Sequence, residues 1–299
     1  VVSRVRVSVP ATSANLGPGF DAIGVALELR GEIELFVGEH AGGSSGMDPN
    51  AARGQAMALE AVERVFQRID RPVPPIRIEF HSDVPVARGL GASAIVRVGA
   101  ALGACEVAGV APDNDWLLEL TSELEGHADN AAPALLGGLQ VVAVDRGRVA
   151  HVSVPFPREL HAVLFVPDFE MSTDEGRLLL PDSLSRADAV HNSSRSALLV
   201  AALATGRVDL LGIATDDRLH QPARSKLFPA MYGIFRSATD AGAICAFLSG
   251  GGSSILAIAE RDESAVADAM AQSAAAAGVS GRTCLTRFSN RGAEIIDAG

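Results

Sequence analysis

Residues 2–9, VSRVRVSV, alternate polar and apolar side chains with a period of two, the pattern of a strand buried on one face. The same rhythm runs through 25–37 (VALELRGEIELFV) on both sides of Gly31, which predicts a hairpin or one long bent strand, and returns at 76–80 (IRIEF). Between them, 51–69 sets Met57, Leu59, Val62, Val65, Phe66 and Ile69 at helical spacing. Further helices are expected over 93–107, after a glycine turn, and over 116–125, behind a cap at Asp113 or Asn114. Past a glycine break, LQVVAVDRGRVAHVSVP reads as two strands around a turn at 145–147, and 161–167 (HAVLFVP) as a buried strand. The spacing then predicts helices over 185–204 and 225–241, strands at ICAFL and SSILAIAE around a glycine turn, an Ala-rich helix over 261–277, and a closing strand at TCLTRFS. Strands and helices mix in both halves without a regular βαβ repeat, so the expected class is α+β, with domains 1–155 and 156–299.

Composition narrows the function. The 299 residues suffice for one large or two modest domains, and a 48% hydrophobic content excludes disorder. With 25 Lys+Arg against 36 Asp+Glu, a net charge of -11, no basic block and 4% aromatics, the chain lacks both the cationic surface and the stacking platforms that nucleic acid requires. No stretch approaches the ~20 apolar residues of a membrane span. Cys105, Cys245 and Cys284 are far apart and read as reduced thiols. A cytoplasmic protein is the expectation. Lys226 is the single lysine, which excludes a GxxxxGK[ST] phosphate loop.

Four segments concentrate chemistry. In PVARGLGASA (85–94), Gly89 and Gly91 let the backbone approach a ligand, and Ser93 offers a hydroxyl where a helix begins and its unpaired N–H groups point outward; this is either a phosphate cradle or an ordinary serine-capped turn. PATSANLGPGFD (10–21) interrupts a strand with small polar residues, and Asn15 and Asp21 are its candidates for a polar ligand, unless the loop only makes Asx turns. EGHADN (125–130) packs two carboxylates, an imidazole and an amide into six residues. LSGGGSS (248–254) is a glycine turn between apolar strands.

In this order, the four segments resemble the GHMP kinase superfamily, most closely its homoserine kinases. PATSANLGPGFD is similar to the first motif, PVARGLGASA to the ATP loop and LSGGGSS to the third motif; EGHADNAAPALLGG, STDEGR (172–177), RADAVHNSSRSALLVAAL (186–203) and DDRLHQPARSKLFP (216–229) point to the particular member. The resemblance implies a GHMP kinase fold, with a left-handed βαβ unit in the N-terminal domain and a ferredoxin-like C-terminal domain. It implies transfer of the ATP γ-phosphoryl group to the side-chain hydroxyl of L-homoserine, with Mg2+, in a homodimer that binds neither nucleic acid nor membrane.

By the same resemblance, ATP is held by Pro85, Val86, Ala87, Arg88, Gly89, Leu90, Gly91, Ala92, Ser93, Ala94 and Ile95. Mg2+ falls to Ser93 and Glu125, with Glu119 and Glu123 as neighbouring alternatives for the carboxylate. A zwitterionic acceptor needs both signs: Arg177 and Arg224 match the carboxylate clamp, Asp21 the ammonium partner, and Asn15, His127, Asn130 and Thr173 the polar wall. Asn15, Asp129 and Asn130 are the catalytic candidates, Asp129 as base, though positioning and charge stabilisation without a dedicated base is the alternative. Ala92 replaces a family serine, Ser253 replaces a proline and is expected to loosen its turn, and the segment near residue 50 keeps little of the adenine-pocket pattern. The competing readings are a mevalonate- or sugar-type kinase and a non-catalytic ligand-binding protein. His40, His81, His151 and His161 show no metal-ligand spacing, and His191 with Arg195 reads as a packing face.

Overall fold

The computed structural model describes residues 2–38, 48–157 and 159–299. From the N-terminus it runs through β1 (Arg4–Asn15), β2 (Gly19–Val37), α1 (Pro49–Arg68), β3 (Ile76–Ser82), α2 (Ala92–Ala108), α3 (Asn114–Glu125), α4 (Ala131–Leu136), β4 (Leu139–Asp145) and β5 (Arg148–Val154). Next come β6 (His161–Pro167), α5 (Thr173–Leu178), α6 (Arg186–Thr205), a 3-10 turn at Val208–Leu210, α7 (Leu211–Ala214) and α8 (Gln221–Arg224). The chain closes with α9 (Met231–Asp240), β7 (Cys245–Leu248), β8 (Ile255–Ala259), α10 (Glu263–Ala276), β9 (Gly281–Arg287) and β10 (Glu294–Ala298).

The period-two segments form the first sheet, ordered β10-β1-β2-β4-β5 with β3 also on β2. Gly31 does not turn the chain: 25–37 belongs to the single 19-residue β2, bent opposite the register shift between Pro10 and Thr12 of β1. Val5, Val7 and Val9 are buried, and α1 to α4 supply much of the apolar cover. The second sheet, β7-β8-β6-β9, is antiparallel. With α9 between β6 and β7 and α10 between β8 and β9, its order is that of a ferredoxin-like βαββαβ unit. Met231, Ile234 and Met270 from those two helices pack with Val163, Phe165 and Ile255 in its core.

Two expectations at element level change. The helix expected over 225–241 starts late, at Met231, after the separate short α8 has ended at Arg224, because Pro229 lacks an N–H and keeps the residue before it out of helical geometry. TCLTRFS is not the last strand: Glu294–Ala298 returns to pair with β1. That strand alternates poorly, its residues being half-buried or exposed, so periodicity gives little sign of it. Among the described residues no helix is long and apolar enough to cross a membrane.

Candidate active site

A cavity of about 490 Å³ opens where the loop ahead of α2 meets both halves of the chain. One wall is the stretch from Val86 to Ser93. Gly91 caps α2 with φ 69° and no side-chain cap bond, so among the described residues no side chain competes for the first N–H groups of the helix. Glycine is required there, since a β-carbon would stand 2.0 Å from Thr12 Oγ1. The loop is tied down by the second half of the molecule: Ser249 Oγ donates to Gly89 O (2.7 Å), Ser254 N to Arg88 O (3.0 Å), and Arg88 Nε to Pro167 O (2.9 Å). Pro85 is outside the wall, and Ala94 and Ile95 turn into the core.

At the helix start, Ser93 Oγ donates to Glu125 Oε2 at 2.8 Å. The other oxygen, Oε1, accepts from Arg97 at 2.6 Å, and the carboxylate is 3% exposed. Glu123 instead pairs with Arg64 outside the cavity, and Glu119 is also absent from the wall. A hydroxyl and a buried carboxylate converging beside the glycine loop are the hard oxygen donors that Mg2+ takes, so these residues fit the ion. Opposite them, Asn50, Arg53, Gly54 and Met57 of α1 close the cavity, although the sequence there keeps little of the family pattern.

Deeper in, charge organises the wall. Arg177 clasps Asp21 with two bonds, NH1 to Oδ2 at 2.9 Å and NH2 to Oδ1 at 2.6 Å. Asn15 holds the same loop: its Oδ1 accepts from Asp21 N (3.1 Å) and its Nδ2 donates to Gly250 O (2.9 Å). Arg224 is 1% exposed, makes no ion pair among the described residues, and its Nε has no hydrogen-bond partner there. Burial, and then the nearby Arg177 cation, lower its guanidinium to about 10. Phe20 lies beneath both cations, its ring centre 5.2 Å from the Arg177 guanidinium and 5.4 Å from that of Arg224.

The third side is EGHADN. Asp129, 2% exposed, accepts from His127 Nδ1 at 2.7 Å, and Asn130 Oδ1 accepts from Thr12 Oγ1 at 2.7 Å. Burial opposes charge on His127, but its bond to Asp129 and the charges of Asp129, Glu125 and Asp21 outweigh it, and the imidazole titrates above its ordinary value.

The cavity thus gathers Asn15, Asp21, Val86 to Ser93, Glu125, His127, Asp129, Asn130, Arg177 and Arg224 from both halves. Thr173 sits at the start of α5, but its side chain is outside the described residues, as is His40. Ser253 does not leave its turn loose: the hydroxyl is buried and donates to Phe169 O at 2.7 Å, replacing a proline's rigidity with a tether. Sequence reasoning missed Arg97 and His220. Both had a signal, since Arg97 follows Ser93 by four residues and His220 precedes Arg224 by four, one helical turn in each case.

Residues 56–138 match the family model for the GHMP kinases N terminal domain, and 199–291 that for the GHMP kinases C terminal domain. The chain is 41% identical over 296 residues to a homoserine kinase of Moorella thermoacetica, covering 97% of this chain and 99% of that one. A homoserine kinase of Synechococcus is 40% identical, with 98% of each chain covered. The crystal structure of a homoserine kinase from Cytophaga hutchinsonii aligns with a TM-score of 0.88 at 28% identity over 98% of both chains. At 15% identity, a mevalonate kinase shares the fold with a TM-score of 0.70. This chain belongs to the GHMP kinases, within the homoserine kinase family.

Proposed function

We propose that the protein phosphorylates L-homoserine with ATP, giving O-phospho-L-homoserine and ADP, the step that commits this amino acid toward threonine. The observation that carries the acceptor assignment is the pairing of opposite charges beside the phosphate loop: Asp21 and Arg177 in mutual contact, and a buried Arg224 with no carboxylate of its own. Homoserine supplies one charge of each sign. Its carboxylate takes Arg177 and Arg224, its ammonium takes Asp21, and the resident pair exchanges partners without stranding a charge. A mevalonate-type acceptor brings a carboxylate alone and leaves Asp21 unanswered; a sugar answers neither.

The phosphates lie against the N–H groups from Gly89 to Ser93, in place of a P-loop lysine. Ser93 and Glu125 would hold Mg2+, which would supply positive charge to offset that of the phosphates. The acceptor oxygen then attacks in line as the γ-phosphoryl leaves ADP, with Asn15 and Asn130 orienting it. Its proton passes to the Asp129 side, where His127 keeps the carboxylate in place. The same reading includes a two-domain division near residue 155, with the last strand returning to the first sheet, and a cytoplasmic homodimer, for which sedimentation velocity is the check.

The test is phosphorus NMR of the reaction product with Mg-ATP and, separately, L-homoserine, mevalonate and galactose. A new phosphomonoester with L-homoserine alone supports the assignment; one formed with mevalonate or galactose instead overturns it.

A further inference from the structure

His220 is absent from the cavity wall, yet it touches both halves of the acceptor site. The ring is fully buried. Its Nδ1 lies 2.6 Å from Arg224 NH1 and its Nε2 lies 2.7 Å from Gly17 O. A guanidinium only donates, so Nδ1 must be the bare nitrogen and Nε2 must carry the hydrogen, which goes to the Gly17 carbonyl. A second proton has no place in this geometry. Burial pushes the imidazole down to about 4, and the charged groups around it are Asp217, Asp21 and Arg224. The 3.6 Å approach of Asp217 Oδ2 to Nε2 is therefore a polar contact and not an ion pair.

Everything around the ring is fixed. Asp217 accepts from the N–H groups of Leu219, His220 and Gln221 and from Asn192 Nδ2. Gly17 rests on the second half so closely that a β-carbon would be 2.1 Å from Thr215 O. Ser196 Oγ donates to the next carbonyl, Pro18 O, at 2.9 Å. The loop thus clamped leads directly into Phe20 and Asp21.

We propose that His220 is a positioning residue for the acceptor carboxylate. A neutral ring fixes the direction of the Arg224 guanidinium without cancelling its charge, and by the same ring ties the Asp21 loop to it. A carboxylate at this position would orient Arg224 equally well but neutralise it, competing with the substrate. An apolar side chain would leave both Arg224 NH1 and the Gly17 carbonyl short of a partner.

The inference rests on homoserine being the acceptor, so wild-type turnover of L-homoserine is the first arm; its failure overturns that reading and not the geometry of His220. The second arm compares His220→Gln, whose amide can accept from Arg224 and donate to Gly17, with His220→Met. The Met variant is expected to raise the homoserine KM roughly tenfold with ATP KM and kcat within twofold, and the Gln variant to restore the KM to within about threefold. A Met variant with unchanged homoserine KM, or a Gln variant as impaired as Met, overturns the proposal. Independently of whether Met folds, nitrogen NMR of histidine-labelled wild-type protein, with the signal assigned by its loss in His220→Gln, should show a neutral ring protonated at Nε2 from pH 8 to pH 5. A charged ring at pH 6, or a hydrogen on Nδ1, contradicts it.

Discussion

The wall we assign to the nucleotide and the wall we assign to the acceptor are built on different principles. The wall proposed for the phosphates is continuous in sequence, Val86 to Ser93 and on into α2, and what it offers a ligand is backbone N–H groups whose direction follows from the helix start. The acceptor wall is assembled from Asn15 and Asp21 of the first half and Arg177, Arg224 and Gly250 of the second, and it works through side-chain charge. Backbone recognition suits a ligand common to a whole superfamily, while side-chain charge can be changed residue by residue to suit one acceptor. The contrast is sharpened by variants that touch one wall and spare the other.

Glu125→Gln should have the largest effect. It keeps the size of the side chain but removes the charge that faces Ser93 and Arg97, and kcat is expected to fall on the order of a hundredfold or more with a raised Mg2+ requirement, measured by ADP release across a Mg2+ titration. Arg224→Ala comes next. Losing a buried cation should raise the homoserine KM by about a hundredfold while ATP KM holds, and Arg177→Ala should do less, about tenfold, because Arg177 is partly exposed and its loss also releases Asp21. Equal damage to ATP KM in either arginine variant would break the two-wall comparison.

A smaller effect is expected with pH. The His127 imidazole is raised in the folded protein, so its contribution to stability is complete below the ordinary value of 6.5 and is lost as pH rises through the raised value. The gap in Tm between wild type and His127→Gln should therefore be wider at pH 6 than at pH 8.5. The smallest change is expected from Ser253→Ala, which removes one buried hydroxyl bond to Phe169 O and should cost about 1 kcal/mol of stability in urea unfolding with kinetics nearly unchanged.

The two walls also differed in how far the sequence revealed them. PVARGLGASA carries its own geometry: two glycines, a hydroxyl and an apolar helix are local features, and the glycine-capped helix start they imply is the one the structure has at Gly91. The strands of the first sheet other than Glu294–Ala298 were equally legible because alternation survives wherever one face is buried. The acceptor wall was legible only through the family resemblance, since nothing in the composition of STDEGR or RLHQPAR says that Arg177 and Arg224 meet over Phe20. Contacts between residues 156 positions apart, such as Arg177 with Asp21, are set by tertiary packing. Arg97 and His220 escaped notice for a related reason: Arg97 acts on Glu125, 28 positions away, His220 acts on Arg224 one turn away, and the importance of each depends on packing. The return of Glu294–Ala298 to β1 was hidden because an edge strand with half-exposed residues has no clear period.

The central claim is that a matched pair of charges selects the acceptor. It is tested most directly by initial rates with Mg-ATP and three alcohols of similar length: L-homoserine, 4-hydroxybutyrate, which lacks the ammonium, and 3-aminopropan-1-ol, which lacks the carboxylate. The account predicts a kcat/KM for L-homoserine at least about a hundredfold above both analogues, since each of them leaves one sign of charge in the site without its partner. Comparable turnover of 4-hydroxybutyrate would contradict the role of Asp21, and comparable turnover of 3-aminopropan-1-ol would contradict that of Arg177 and Arg224.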